Sequence, residues 1–126
     1  MKENDVLRRD GATLRVLAIR SDLCFCINCN TACMPAWVPA DELEDCIHVA
    51  TPVIETSMTV QQKQVAHQRF TMIAPLLAFL TDDRERSRMM NHIVEEQGIS
   101  RQTLRRYLCR YLVYQDIAAL DRKSVV

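Results

Sequence analysis

The apolar residues of this chain change their period once, and that change limits the folds open to it. Up to about residue 40 they fall in short runs of strand length, broken by turn residues; from Thr59 onward they recur three and four residues apart. A period of two belongs to strands and one of 3.6 to helices. The chain therefore reads as α+β, with a small N-terminal β meander or partly open barrel followed by a helical domain.

In the first half, Asp10-Gly11 marks a turn, Leu14 to Ile19 forms a β-compatible run, and Ser21-Asp22 closes it. Leu23 to Asn28 alternates, with Cys24 and Cys26 on one face and Phe25 and Ile27 on the other. A third strand over Met34 to Val38 is flanked by Pro35 and Pro39, which suit an edge. A short helix is expected next, with Asp41 as N-cap and Leu43, Cys46 and Ile47 on its apolar side. Residues 48–58 read as extended chain around Thr51-Pro52. The expected division is a β module over 1–50, a linker over 51–58 and a helix-turn-helix domain over 59–126.

The helical half opens with an amphipathic segment from Val60 to about Leu80, whose apolar side is Val65, Phe70, Ile73, Leu76, Leu77 and Leu80. Pro75 lies inside it and is expected to kink or divide it, because it offers no N–H to the residue-71 carbonyl. Thr81-Asp82-Asp83 is a cap cluster for a second helix, Arg84 to Gln97, with Met89, Ile93 and Val94 inward. Gly98 ends that helix and Ser100 caps a third, with Leu104, Tyr107, Leu108 and Tyr111 as its stripe. A last turn, Asp116 to Leu120, packs Ile117 and Leu120.

Formal net charge is zero, but it is divided unevenly. Up to Thr59 there are five basic and nine acidic residues; from Val60 onward there are eleven and seven. A basic second half suits a nucleic-acid partner. Composition is 48% hydrophobic and 25% charged, which argues for a folded rather than a disordered chain. No apolar run approaches the roughly 18 residues of a membrane span, and the N-terminus is too polar for a signal peptide, so a cytoplasmic location is expected. Glycine occurs only at positions 11 and 98, which excludes a glycine-rich phosphate loop.

The stretch from His92 to Tyr107 carries the functional reading. A helix-turn-helix needs a sharp turn, usually through glycine, a modest residue where the helices cross and an apolar residue after the turn. Gly98, Val94 and Ile99 supply these in order, and Leu104 and Leu108 give the second helix its buried stripe. The face left over holds Arg101, Gln102, Arg105 and Arg106. Arginine can bond guanine, and glutamine adenine, in a bidentate manner, so these four are the expected base readers. Lys63, Arg88, Ser100, Thr103, Arg110, Arg122 and Lys123 are the expected phosphate contacts. The competing reading is a plain helical hairpin with a solvated basic face.

Six cysteines without a secretory signal read as thiols or ligands before disulfides. Cys24, Cys26, Cys29 and Cys33 fall within ten residues, which raises a zinc reading. Structural zinc sites draw their pairs from separate knuckles, however, and here two thiols share a strand face. Packing by small, semi-apolar side chains is the preferred reading, and no metal or cofactor is expected. Trp37 and the methionines are assigned to packing, and no geometry pairs Cys46 or Cys109 with His48, His67 or His92. Asp82, Asp83, Glu95 and Glu96 read as cap and surface carboxylates.

Several motifs together resemble the N-terminal region of Mu-type transposases, relatives of retroviral integrases. They are Phe70-x2-Ile73-x-Pro75-Leu76-Leu77, then Ile93-x5-Ile99-Ser100-x2-Thr103-x3-Tyr107-Leu108-x2-Tyr111, Ala118-Ala119-Leu120, and the earlier Trp37-Val38 running to Asp41-Glu42-Leu43. The resemblance implies binding to the repeated sequences at transposon ends, with copies of the chain able to associate on that DNA. It implies no membrane and no small-molecule partner. The family's three-carboxylate, two-metal core follows the region matched here, so the chain is expected to be a non-catalytic fragment. A stand-alone helix-turn-helix regulator, and a cysteine-ligated metal module with a protein-interaction domain, are the alternatives.

Overall fold

The computed structural model describes residues 2–31, 33–53 and 57–120. The chain divides into two compact units, Met1–Val53 and Ile54–Val126. It is α+β, with an open antiparallel sheet in the first unit and three helices in the second.

The first unit is built on β1 (Val6–Arg9), β2 (Ala12–Arg20), β3 (Leu23–Asn28), β4 (Ala36–Pro39) and β5 (Ile47–His48), in the order β4-β3-β2-β1-β5. The first four strands form a meander. Asp10 (φ 49°) and Gly11 (φ 81°) make the two-residue link from β1 to β2, a conformation that matches strand twist and that glycine adopts at little cost. The apolar run in β2 does not alternate cleanly because Leu17 is a bulge. Val16 faces Cys26 and Ala18 faces Phe25, so two β2 residues advance against one on β3.

One face of the sheet holds a core of Leu7, Val16, Cys24, Cys26 and Leu43, with Leu14, Val38, Ala40 and Cys46 packed against it. On the other face Phe25 and Ile27 are also buried, so every residue from Cys24 to Ile27 is inside. Trp37 leans on Phe25 with ring centroids 4.9 Å apart, and the Arg20 guanidinium sits 5.1 Å from the Trp37 ring centre.

Of the two expected forms the sheet is the open meander: β4, capped by a proline that lacks an N–H, and the two-residue β5 remain its edges among the described residues. Two expectations change here. The short helix is a 3-10 turn over Ala40–Leu43 with Pro39, not Asp41, at its N-cap. Ile47 leaves the helix for β5, where it pairs with Arg8 and is exposed, and His48 pairs with Leu7 rather than opening a linker. The pull on this segment is backbone pairing at the free edge of β1, extended by a bond from the Val49 N–H to the Val6 carbonyl at 2.9 Å.

In the second unit, α1 (Val60–Leu77) starts with a reciprocal cap: the Gln62 N–H donates to Thr59 Oγ1 at 3.2 Å, and the Thr59 N–H donates to Gln62 Oε1 at 2.8 Å. Pro75 neither divides α1 nor stops it at once. It lies in the last turn, so only the residue-71 carbonyl loses a helical donor, and the helix ends two residues later. α2 (Asp83–Gln97) is capped by Asp82, which accepts from the Glu85 N–H at 3.1 Å. It ends at Gly98, whose φ of 66° is the left-handed conformation that a side chain would resist. α3 (Arg101–Tyr114) begins after Ser100, and a final 3-10 turn, Ile117–Leu120, closes the described chain.

α1 packs against α2, α3 and the final turn, and α2 against α3. Ile73 and Leu76 of α1, Met90 and Ile93 of α2, and Leu104, Leu108 and Leu112 of α3 form its buried centre. Met90, not Met89, is the buried methionine of α2. Tyr107 and Tyr111 are half-buried and flank this centre. Arg69 lies over the Tyr107 ring at 5.0 Å and donates to the Leu120 carbonyl, while Phe70 meets Tyr111 at 5.1 Å.

Candidate nucleic-acid interface

α2 and α3 are joined by only Gly98, Ile99 and Ser100. The left-handed turn at Gly98 lets its N–H return to the Val94 carbonyl at 3.0 Å, so the second helix stops cleanly and the chain can redirect. Val94 and Ile99 are both half-buried beside the turn. Ser100 Oγ then accepts from the Thr103 N–H at 3.1 Å and donates to Thr103 Oγ1 at 2.8 Å. Both hydroxyls expected to meet phosphate are thus joined in the cap that starts α3.

The first two turns of α3 expose Gln102, Arg105 and Arg106 on one side of the helix, opposite Leu104 and Leu108. Neither Arg105 nor Arg106 is in an ion pair among the described residues. Farther along that side the helix is buried again, at Cys109 and Val113. The exposed polar surface is therefore short and sits at the N-terminal end of α3. The two helix starts also differ electrically. α2 brings Asp82, Asp83 and Glu85 to its own N-terminus, whereas the first turn of α3 carries no acidic residue. The positive end of the α3 dipole is left unneutralised by its own side chains.

Arg101, the fourth expected base reader, is placed differently. It is half-buried, and its guanidinium turns back to α2, donating to Asn91 and Ser87. Those two α2 residues were not among the sequence candidates. Their signal was the four-residue spacing that puts them on one side of α2.

Among the expected phosphate contacts, Arg88 is exposed on α2 and pairs with Glu85 at 3.3 Å. An exposed pair one turn apart on a helix contributes only a few tenths of a kcal/mol, roughly, so a phosphate could displace the carboxylate. Lys63 is exposed on α1, and Arg110 is half-buried on α3. Arg122 and Lys123 lie outside the described residues. The carboxylates also have local roles: Asp83 pairs with Arg86 at 2.8 Å, and Glu96 with His92 at 3.0 Å.

The four clustered cysteines do not come together as ligands. No three His, Cys, Asp or Glu side chains converge on a metal-sized position among the described residues. Cys24 and Cys26 are in the sheet core, Cys29 is half-buried and Cys33 is exposed. Burial pushes the Cys24 and Cys29 thiols up, with Arg15 drawing Cys29 partly back. Burial, with the neighbouring Cys24 and Cys46, pushes Cys26 to about 12 from an ordinary 9.0. A thiol held neutral is a poor ligand and a poor nucleophile.

The Cys26 shift has a sign that can be tested. Its folded value lies above its unfolded one, so the stability it brings is present below pH 9 and lost as pH rises toward 12. Between neutral pH and about pH 10, Cys26→Val is expected to lose about 1 kcal/mol less stability than the unsubstituted chain. Urea unfolding followed by Trp37 fluorescence checks this, and equal losses would remove the electrostatic role.

No protein-family model matches the chain, and no curated protein matches its sequence. Among the described residues no helix is long and apolar enough to cross a membrane.

Proposed function

We propose that the second unit is a helix-turn-helix domain that binds double-stranded DNA by placing the first two turns of α3 in the major groove. The observation that carries this reading is the exposed trio Gln102, Arg105 and Arg106 on one side of a capped helix that lacks acidic residues in its first turn. These residue types suit base edges, and readers near the start of a recognition helix reach farthest into a groove. The role is binding, not catalysis, and its setting is the cytoplasm, where bacterial and phage DNA is held. The motif resemblance supports a narrower version, in which the chain is the N-terminal part of a Mu-type transposase and its targets are the element's end repeats.

Titration of a fluorescently labelled duplex tests this. Affinity should fall steeply and linearly with salt on logarithmic axes, because each phosphate contact releases counterions that added salt restores. A duplex carrying the repeats that flank the gene's own element should bind more tightly than its scrambled counterpart. Failure to bind any duplex at low salt would remove the DNA reading; equal binding to repeat and scrambled duplexes would remove only the transposon-end version.

A further inference from the structure

Arg101 opens α3 yet does not share the exposed side of Gln102, Arg105 and Arg106. One guanidinium N–H donates to Asn91 Oδ1 and another to Ser87 Oγ, the latter at 2.9 Å. Ser87 and Asn91 stand one turn apart on α2. Two donors of one rigid plane therefore grip two points along a neighbouring helix. Such a grip fixes the rotation of the first turn of α3 as well as its distance from α2. Lysine, with one compact charge on a flexible stem, cannot reproduce it.

Local helix physics does not explain an arginine here. A cation at the first helical position opposes the helix dipole, which favours anions at that end. Arg101 is also half-buried, and a swing into a groove would break both bonds. Its placement is accounted for by what it holds.

We propose that Arg101 is a positioning residue, which sets the angle at which α3 presents Gln102, Arg105 and Arg106 and thereby governs sequence discrimination without touching DNA. This rests on the DNA-binding reading above. Bidentate bonds to base edges need their side chains held to within about 0.5 Å, whereas attraction to phosphates tolerates far looser placement. A lost grip should therefore reduce preference for the correct sequence and spare non-specific affinity.

The full chain is first used to enrich a preferred duplex from a randomised library. Dissociation constants for that duplex and a scrambled one are then measured across a salt series. The variants are Arg101→Ala, Arg101→Lys, Ser87→Ala with Asn91→Ala, and all three alanines together. Arg101→Ala and the Ser87/Asn91 pair are each expected to cut preference for the enriched duplex about tenfold. Scrambled-duplex affinity and the salt slope should stay unchanged, the triple variant should be no worse than Arg101→Ala, and lysine should not rescue. Weaker binding to both duplexes, with the slope reduced by about one, would make Arg101 a direct contact and overturn the proposal. Unchanged preference in every variant would overturn it as well. If Arg101→Ala loses its helical circular dichroism, Arg101→Lys and the Ser87/Asn91 pair decide the question by the same readouts. If the unsubstituted chain binds neither duplex, the DNA reading itself falls and takes this inference with it.

Discussion

Replacing Arg105 and Arg106 together by alanine is expected to weaken binding to the chain's preferred duplex roughly 100-fold, about 3 kcal/mol. Each arginine that reads a base is worth about 1–3 kcal/mol, and adjacent readers need not add in full. Both side chains are exposed, so the fold should barely notice the change, with stability moving by less than about 0.5 kcal/mol. That combination of a large loss in affinity and little loss in stability separates a reading face from a merely solvated one. Gln64→Ala, on the exposed side of α1, is the matching control and should leave affinity unchanged. Fluorescence anisotropy supplies the affinities and urea unfolding the stabilities. Wild-type affinity in the double variant would end the assignment of α3 as the recognition helix.

The largest effect on stability is expected at Leu108. Its side chain is fully buried midway along α3. Leu108→Ala removes two methyl groups and the methine that carries them and leaves a cavity that packed neighbours cannot wholly fill, at a cost of about 2–5 kcal/mol. Against a total of about 5–15 kcal/mol for an ordinary domain, that is a large share. The helical circular dichroism transition in urea should shift to a clearly lower midpoint with an unchanged slope. A shift worth less than about 1 kcal/mol would mean that Leu108 is not at the packed centre.

Legibility in the sequence followed how local the determining physics is. Ser100 and Gly98 act within one turn of themselves, and both ends of the α2–α3 link were readable from residue type alone. The strands β2, β3 and β4 announced themselves through their apolar runs and the turn residues between them, and β1 only through the turn at Asp10-Gly11 that follows it. β5 did not, because nothing near Ile47-His48 encodes it. Its partner Leu7 is some forty residues away, and the pairing depends on an edge that exists only after the meander forms. The bulge at Leu17 was hidden for a related reason, since the run from Val16 to Ile19 is apolar whether or not a residue is skipped.

The candidate interface divides in the same way. Gln102, Arg105 and Arg106 follow from helix geometry once the buried stripe is known. Arg101 stands three and seven residues before Leu104 and Leu108, on the flank of the buried stripe, but its partners Ser87 and Asn91 across the link belong to the fold and not to the local sequence. The four-cysteine cluster shows the reverse error, in which closeness in sequence suggests ligands. Cys24 and Cys26 do share a face of β3, but Cys29 and Cys33 lie beyond the end of that strand, and the third thiol near Cys24 and Cys26 comes from Cys46 instead.

The position of β1 between β2 and β5 also bears on when the first unit can assemble. A ribosome delivers β1 first, and the hairpin with β2 can form as soon as Arg20 has emerged. The other edge of β1 stays open until His48 arrives, and the core residue Leu43 arrives only shortly before it. Over that interval of synthesis the nascent chain carries an unsatisfied strand edge, the kind of surface on which chains pair wrongly. The second unit has no such waiting period, because its helices close on their own hydrogen bonds as they emerge. The slow, error-prone step in making this protein is therefore expected to lie in its first fifty residues, where distant strands must meet.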